Sequence, residues 1–417
     1  MKSESIAAPV CLICLLISAS VSAQEQAPIS TQSSGGIPVY TNEAIPVGPF
    51  LFSPALQLLW QDRDNIFFTP DNKVRDQVYT ATARLLFEVP IFESYLQFAY
   101  TPQYRQYKDY ELEDKWTHIV DVLGAFEFAS GLRLNAAYRY FIGNLETREV
   151  DPGGELIWGD RRFVKNFVAV DGNYWISQTD GIVFKASWTD LNHDDPDLFY
   201  DYTRLDAGVG WLHQLSPILV MDVSYGHIEF DAKDAEDFSN SFRDSSSDDL
   251  TVGWRGQLSP VVATEIRVGY RRTSFDLMPG DPPVEDFSGV VANGFISWNM
   301  AHDSILRLDV LRSDYPSNSG PNAYYVATGA SLMYTLEQGS WYGQARGRFQ
   351  NNDYELPDLI NGEIRSDDIA TFGLGLGFRF TELLSLYGTY LYEDRESTIY
   401  EATYTTNIFS LGLVFGF

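Results

Sequence analysis

Cysteine is nearly missing from this chain. Cys11 and Cys14 are the only two among 417 residues, and both lie within the first 23. A protein that loses that segment has no thiol, which excludes disulfides, Cys-based metal sites and thiol catalysis. After it there is no apolar run of about 18 residues, so no transmembrane helix is available. Positive charge is scarce too: 29 Lys and Arg stand against 57 Asp and Glu, a formal net charge of −28. That balance argues against nucleic-acid binding, because a phosphate backbone would be repelled. Histidine occurs five times, as His118, His193, His213, His227 and His302. No G-x-S-x-G, H-E-x-x-H or P-loop accompanies them. The run His302-Asp303-Ser304 falls in an expected short turn, where adjacent residues point to opposite faces. No catalytic residue, metal site or cofactor is therefore expected. The acidic stretches His193–Asp197 and Ser245–Asp249 have carboxylates of the kind Ca²⁺ takes, but not EF-hand spacing, and read as solvated loops.

What the chain does have is aromatics, 15% of residues with 25 Tyr and 27 Phe, together with 32 Gly. Those residue types suit an all-β protein. Residues 1–23 carry Lys2, an apolar stretch from Ile6 to Ile17 and a small-residue site at Val21-Ser22-Ala23, the pattern of a secretory signal peptide. Residues 24–49, rich in Ser, Gln, Gly and Pro, are expected to be a flexible periplasmic arm. Residues 50–417 are expected to form the folded body.

From Phe50 to the end, segments of ten to fifteen residues alternate apolar with small or polar side chains, the period-2 pattern of strands. In Ile369–Phe380 the residues Phe372, Leu374, Leu376, Phe378 and Phe380 share one face, and Thr371, Gly373, Gly375, Gly377 and Arg379 the other. About 18 such segments can be counted, and the gaps between them alternate short and long. Short turns fall near Phe92, Ser130, Gln178, Ser216, Ser259, Ala301, Gln338 and Glu382. Long polar loops fall between them, among them Asn144–Asp160, Asp231–Ser247, Asp353–Arg365 and Arg395–Tyr404. Short turns at one end and long loops at the other describe a bacterial outer-membrane barrel. The fold expected is thus a single closed antiparallel transmembrane β-barrel, with short periplasmic turns and long extracellular loops. The last segment alternates Phe409, Leu411, Leu413, Phe415 and Phe417 with Ser410, Gly412 and Gly416. Its terminal Phe417 is expected to serve as a signal for barrel assembly machinery. Trp and Tyr near segment ends, such as Trp60, Trp116, Trp211, Trp254, Trp298 and Trp341, are expected to form interfacial girdles.

If the apolar face of each strand meets lipid, the charged face must line the lumen. A charge facing lipid at mid-bilayer would cost about 2–4 kcal/mol. This places Asp121, Glu127, Arg133, Arg139, Arg255, Glu265, Arg267, Arg271, Arg346 and Arg348 along a pore. Phe163–Ile176 has no clear parity. A turn at Ser130 sets Glu127 opposite Arg133 and Asp121 opposite Arg139. A turn at Pro260 sets Glu265 opposite Arg255 and Asp249 opposite Arg271. Directly opposed side chains are close enough to interact. Some eighteen strands enclose more space than side chains fill, so an aqueous channel follows. Inward-folded loops such as Asp231–Ser247 would narrow it.

The opening Gly48-Pro-Phe-Leu-Phe-Ser-Pro-Ala-Leu-Gln-Leu, followed by Asp62-Arg63-Asp64-Asn65-Ile66-Phe67, resembles the start of the "putative β-barrel porin 2" family. The resemblance implies an outer-membrane porin-like barrel and an association with exopolysaccharide synthesis and export systems; it supplies no catalytic residues. The expected function is a solute channel in a Gram-negative outer membrane, serving exopolysaccharide export, with selectivity from luminal Arg and carboxylates. Its expected partners are membrane lipid and lipopolysaccharide, the assembly machinery and polysaccharide export components. A barrel enzyme acting on lipid or lipopolysaccharide, and a structural or adhesive barrel acting through its acidic loops, are the alternatives.

Overall fold

The computed structural model describes residues 44–110, 116–144, 154–155, 162–194, 200–233, 240–301, 303–358 and 362–416. The expected signal peptide, most of the expected arm, His302 and Phe417 lie outside the described residues.

Alternating residues over most of the chain produce strands: β1 (Ile45–Val47), β2 (Phe50–Arg63), β3 (Asp76–Ile91), β4 (Ser94–Tyr107), β5 (Trp116–Glu127), β6 (Leu132–Asn144), β7 (Arg162–Trp175), β8 (Asp180–His193), β9 (Tyr202–Ser216), β10 (Leu219–Ala232), β11 (Ser245–Ser259), β12 (Val262–Phe275), β13 (Phe287–Ala301), β14 (Ser304–Pro316), β15 (Tyr324–Gln338), β16 (Trp341–Pro357), β17 (Ile364–Arg379), β18 (Leu384–Ser397) and β19 (Tyr404–Gly416). From β2 onward each strand pairs antiparallel with the next. β19 returns to β2, with Ile408 opposite Arg63 and Gly416 opposite Ala55. β2 to β19 therefore form a closed ring of eighteen antiparallel strands. Closure leaves no unpaired edge, which is what lets a sheet sit in hydrocarbon. β1 lies beside the start of β2, with Ile45 opposite Phe52. The last residues of the expected arm are thus strand.

The connections alternate as the spacing implies. Turns at 92–93, 128–131, 176–179, 217–218, 260–261, 303, 339–340 and 380–383 gather at one end, and the longer connections join the strands at the other. Strands run on into several expected loops. β10 continues to Ala232 and β11 starts at Ser245, while β16 reaches Pro357, β17 starts at Ile364 and β18 reaches Ser397. Strands from β2 to β19 are 12 to 17 residues long. A tilted strand needs about 9–11 to cross a bilayer, so the barrel wall extends past the apolar belt.

The polarity is the reverse of a water-soluble core. Phe372, Leu374, Leu376, Phe409 and Leu411 are exposed on the outside, whereas Gln57, Gln61, Asp121, Asp222, Gln350 and Asp367 are buried on the inside. A large contiguous apolar exterior marks a surface made for another apolar phase. Parity also resolves in β7, where Phe163, Lys165, Phe167, Asp171 and Asn173 point inward and Val168, Val170 and Tyr174 outward. Trp116, Trp211, Trp254, Trp298 and Trp341 lie exposed on the exterior. At Gly412 the inward space is taken by the Tyr387 ring, whose Cζ would lie 2.1 Å from a Cβ there. Only glycine fits beneath that ring.

The ring closes through the Asp62–Phe67 segment. Asp64 Oδ1 accepts the Asn407 backbone N–H at 2.7 Å and its Oδ2 accepts Asn407 Nδ2 at 2.7 Å. Asn65 Nδ2 donates to the carbonyls of Thr69 at 2.8 Å and Thr405 at 3.2 Å. These residues clasp the first long loop to the last strand.

Candidate pore and its constriction

The inner wall carries ionised pairs where neighbouring strands oppose them. Glu127 faces Arg133 and Asp121 faces Arg139 between β5 and β6. Both close into ion pairs, at 2.8 Å for Arg133 and 2.7 Å for Arg139. Between β11 and β12 the register opposes Arg255 to Glu265 and Asp249 to Arg271, as the turn position implies. Here the side chains reach further than the nearest rung. Arg271 Nη1 donates to Asp314 Oδ1 on β14 at 2.9 Å, and Arg267 Nη2 donates to Asp222 Oδ1 on β10 at 3.3 Å. Arg271 is therefore engaged with Asp314, although Asp249 is its opposite in register.

The two sides of the wall differ in charge. From β5 to β14 acids and bases interleave on the inward faces, with Arg204–Asp206 and Arg307–Asp309 pairs at 2.8 Å adding to those above. From β16 round to β4 arginine dominates. The inward positions include Arg379 near the short-turn end and Arg346, Arg348 and Arg84 further along. Arg63, Arg105, Arg365 and Arg395 follow near the long-loop end. Side chains that alternate inward on four or more adjoining strands have built a cationic column along the lumen. Of the ten residues expected to line a pore, all occupy inward strand positions.

A contact across the ring was not visible in the sequence. Gly154 and Glu155 belong to the connection between β6 and β7, yet they bond to the far wall. Counting round the ring from β7 through β8 to β15 takes eight steps, and back through β16, β19 and β2 takes ten. The Gly154–Glu155 pair therefore reaches across the lumen. Arg395 Nη1 donates to the Glu155 carbonyl at 3.0 Å, and Arg395 Nη2 donates to the Gly154 carbonyl. The Glu155 carboxylate accepts Ser317 Oγ at 2.7 Å and the Asn318 N–H at 2.7 Å, and lies 3.8 Å from Arg365 Nη1. Arg395 is fully buried and Glu155 nearly so, at 3%. A buried ionised group is tolerated only with such partners.

A second loop joins it. Arg243, in the 3-10 turn Ser241–Arg243 between β10 and β11, donates to the carbonyls of Ser317 and Gly320, each at 2.9 Å. Its guanidinium lies 4.1 Å from the Phe242 ring centroid and 4.9 Å from that of Tyr200. Burial holds its pKa below the usual arginine value. Residues 240–244 of the Asp231–Ser247 segment thus pack against the Ser317–Gly320 connection. Beneath it Tyr315, Tyr325 and Tyr354 stack with centroids 5.8 and 5.3 Å apart. Glu155, Ser317 and Arg243 were missed because loops have no periodicity to read, and Arg365 and Arg395 because strands run on into segments expected to be loops. The Pro152-Gly153-Gly154 turn signal before a single acid was the one available hint.

The described histidines are structural neighbours of acids and aromatics. His118 stacks on Tyr100 and Trp116. His213 Nδ1 lies 2.9 Å from Asp180, and His227 lies 2.9 Å from Asp248 and 2.7 Å from Glu229. Among the described residues no three His, Cys, Asp or Glu are grouped to hold a metal.

The family match agrees with the fold. The family described as "Putative beta-barrel porin 2" matches residues 193–417. The opening at Gly48–Phe67 lies outside that match. No curated protein is recognisably similar. Among solved structures, Acinetobacter baumannii OccAB4 is 10% identical with a TM-score of 0.49, over 89% of this chain and 98% of that one. The outer membrane protein OpdK from Pseudomonas aeruginosa is 10% identical with a TM-score of 0.49, over 88% and 98%. Acinetobacter baumannii OccAB3 is 10% identical with a TM-score of 0.48, over 88% and 99%.

Proposed function

The chain belongs to the family described as "Putative beta-barrel porin 2", and from that premise we propose that it is an outer-membrane channel for small acidic solutes. The observation that carries this reading is a closed eighteen-strand ring that is apolar outside and charged within, with arginines spanning its length. In this reading the long loops face the cell exterior and the short turns the periplasm of a Gram-negative bacterium. The exterior belt contacts lipid and lipopolysaccharide, and the last strand presents itself to the assembly machinery.

The arginine column supports anion preference despite the net charge of −28. Screening confines exposed loop charges to about 8 Å at physiological salt. Charges on a narrow low-dielectric wall act on a solute at closer range and are focused there. Acidic segments of an exopolysaccharide fit the same column, in line with the resemblance. The Glu155 crossing restricts what passes.

Purified protein reconstituted in planar bilayers tests this. Discrete conductance steps and a reversal potential favouring chloride over potassium are expected in a salt gradient. Absence of current from folded protein would overturn the channel reading. Recovery from the inner-membrane fraction would overturn the location.

A further inference from the structure

We infer that Arg365, the Ser317 hydroxyl and the Asn318 backbone N–H form a carboxylate-binding subsite inside the barrel, occupied in this structure by the chain's own Glu155 and able to take the carboxylate of a solute in its place. The inference deepens the channel reading and rests on it for its physiological meaning.

The site is built for one planar anion. Two donors and one cation converge on the Glu155 carboxylate: Ser317 Oγ donates to Oε1 at 2.7 Å, the Asn318 N–H donates to Oε2 at 2.7 Å, and Arg365 Nη1 lies 3.8 Å from Oε1. None belongs to the connection that carries Glu155. Ser317 and Asn318 follow β14, and Arg365 is the second residue of β17. The receptor is therefore assembled on the far wall, independently of the group that fills it.

Arg365 is held ready. Its Nε and Nη2 edge donates to Asp367, with Nη2 at 2.8 Å from Oδ2, and the guanidinium lies 4.7 Å from the Tyr354 ring centroid. That leaves Nη1 as the corner directed at the anion. Planar guanidinium with one edge pinned presents the rest in a set geometry. Ser317 is fully buried and Arg365 nearly so, at 8% exposed. With no anion present these donors would be desolvated and unanswered, which is costly. An emptied site would therefore draw in a replacement.

Charge selects the ligand class. Arg365 and Arg395 share Asp367, from which Arg395 Nη2 is 3.4 Å distant. With Arg243 bonded to the Ser317 and Gly320 carbonyls beside them, three cations stand against the one carboxylate of Asp367, and the excess positive charge favours an anion. Carboxylate-bearing solutes, such as sugar acids or acidic residues, fit.

The test uses the full-length protein purified in detergent, and acetate, which replaces the group that Glu155→Ala removes. Acetate is expected to raise the unfolding temperature of E155A along a saturating curve, and to leave the wild type unmoved. Acetamide at the same concentrations should do nothing, and E155A/R365Q should lose the response. An equal acetate effect in wild type and E155A, an equal effect of acetamide, or survival of the effect without Arg365 would overturn the subsite. If E155A does not assemble, Glu155→Ser, which also clears the carboxylate and its methylene from the subsite, should show the same acetate dependence, with the same outcomes decisive. In bilayers, acetate should return the conductance of E155A toward the wild-type value. A wild type without current contradicts the channel reading, and leaves the unfolding assay to judge the subsite by itself.

Discussion

Arg267 and Asp222 stand two strands apart and meet over Gly253. In register, Gly253 of β11 lies opposite Asp222 on one side and Arg267 on the other. The missing side chain lets Arg267 Nη2 reach Asp222 Oδ1 at 3.3 Å. A Cβ at position 253 would sit 2.4 Å from that oxygen. Gly253→Val should separate the pair and strain the wall, lowering stability by about 1–3 kcal/mol. The barrel's heat-modifiable band on a gel should then convert at a lower temperature than wild type; an unchanged midpoint would refute the contact's importance.

Replacing Arg346 and Arg348 together by Gln should weaken anion preference. Each lost attraction near a protein surface is on the order of 1 kcal/mol, and the chloride-to-potassium permeability ratio should fall about fivefold or more. Reversal potentials in a salt gradient measure it. Arginine stays protonated throughout the accessible range, so lowering the pH neutralises only the carboxylates and should push the wild-type channel further toward anions.

Asp64 is expected to be the residue of the Asp62–Phe67 segment most needed for closure. Alanine there leaves the Asn407 N–H and Nδ2 without their acceptor. An unsatisfied buried donor costs about 1–3 kcal/mol. Asp64→Ala should lower the unfolding midpoint while single-channel conductance stays near wild type, since the change is at the seam.

Wall parity makes a contrasting pair on one strand. Leu374 faces outward on β17 and Thr371 inward. Leu374→Arg should cost about 2–4 kcal/mol at the bilayer midplane and reduce assembled protein. Thr371→Arg should assemble and raise anion preference. Equal yields of the two variants would contradict the orientation of the strand.

Much of this was legible before any coordinates. The Glu127–Arg133 and Asp121–Arg139 pairs could be read because a short turn sets register and period 2 sets facing. The partner of Arg271 could not, because a long side chain on a curved wall passes its nearest rung and finds Asp314. The parity of Phe163–Ile176 was obscure because its inward face carries Phe163 and Phe167 beside Lys165 and Asp171. Phe163 packs with Phe141, Ile119 and Leu191 under the long loops.

The chain's own order of residues determined which side chains meet lipid, where the turns fall and how many strands the ring needs. Each of those follows from alternation and spacing that act between near neighbours. What crosses the lumen was decided only by the folded ring. Glu155 meets Ser317, Arg365 and Arg395 because closure brings walls that are distant in sequence face to face, and no local pattern encodes that meeting.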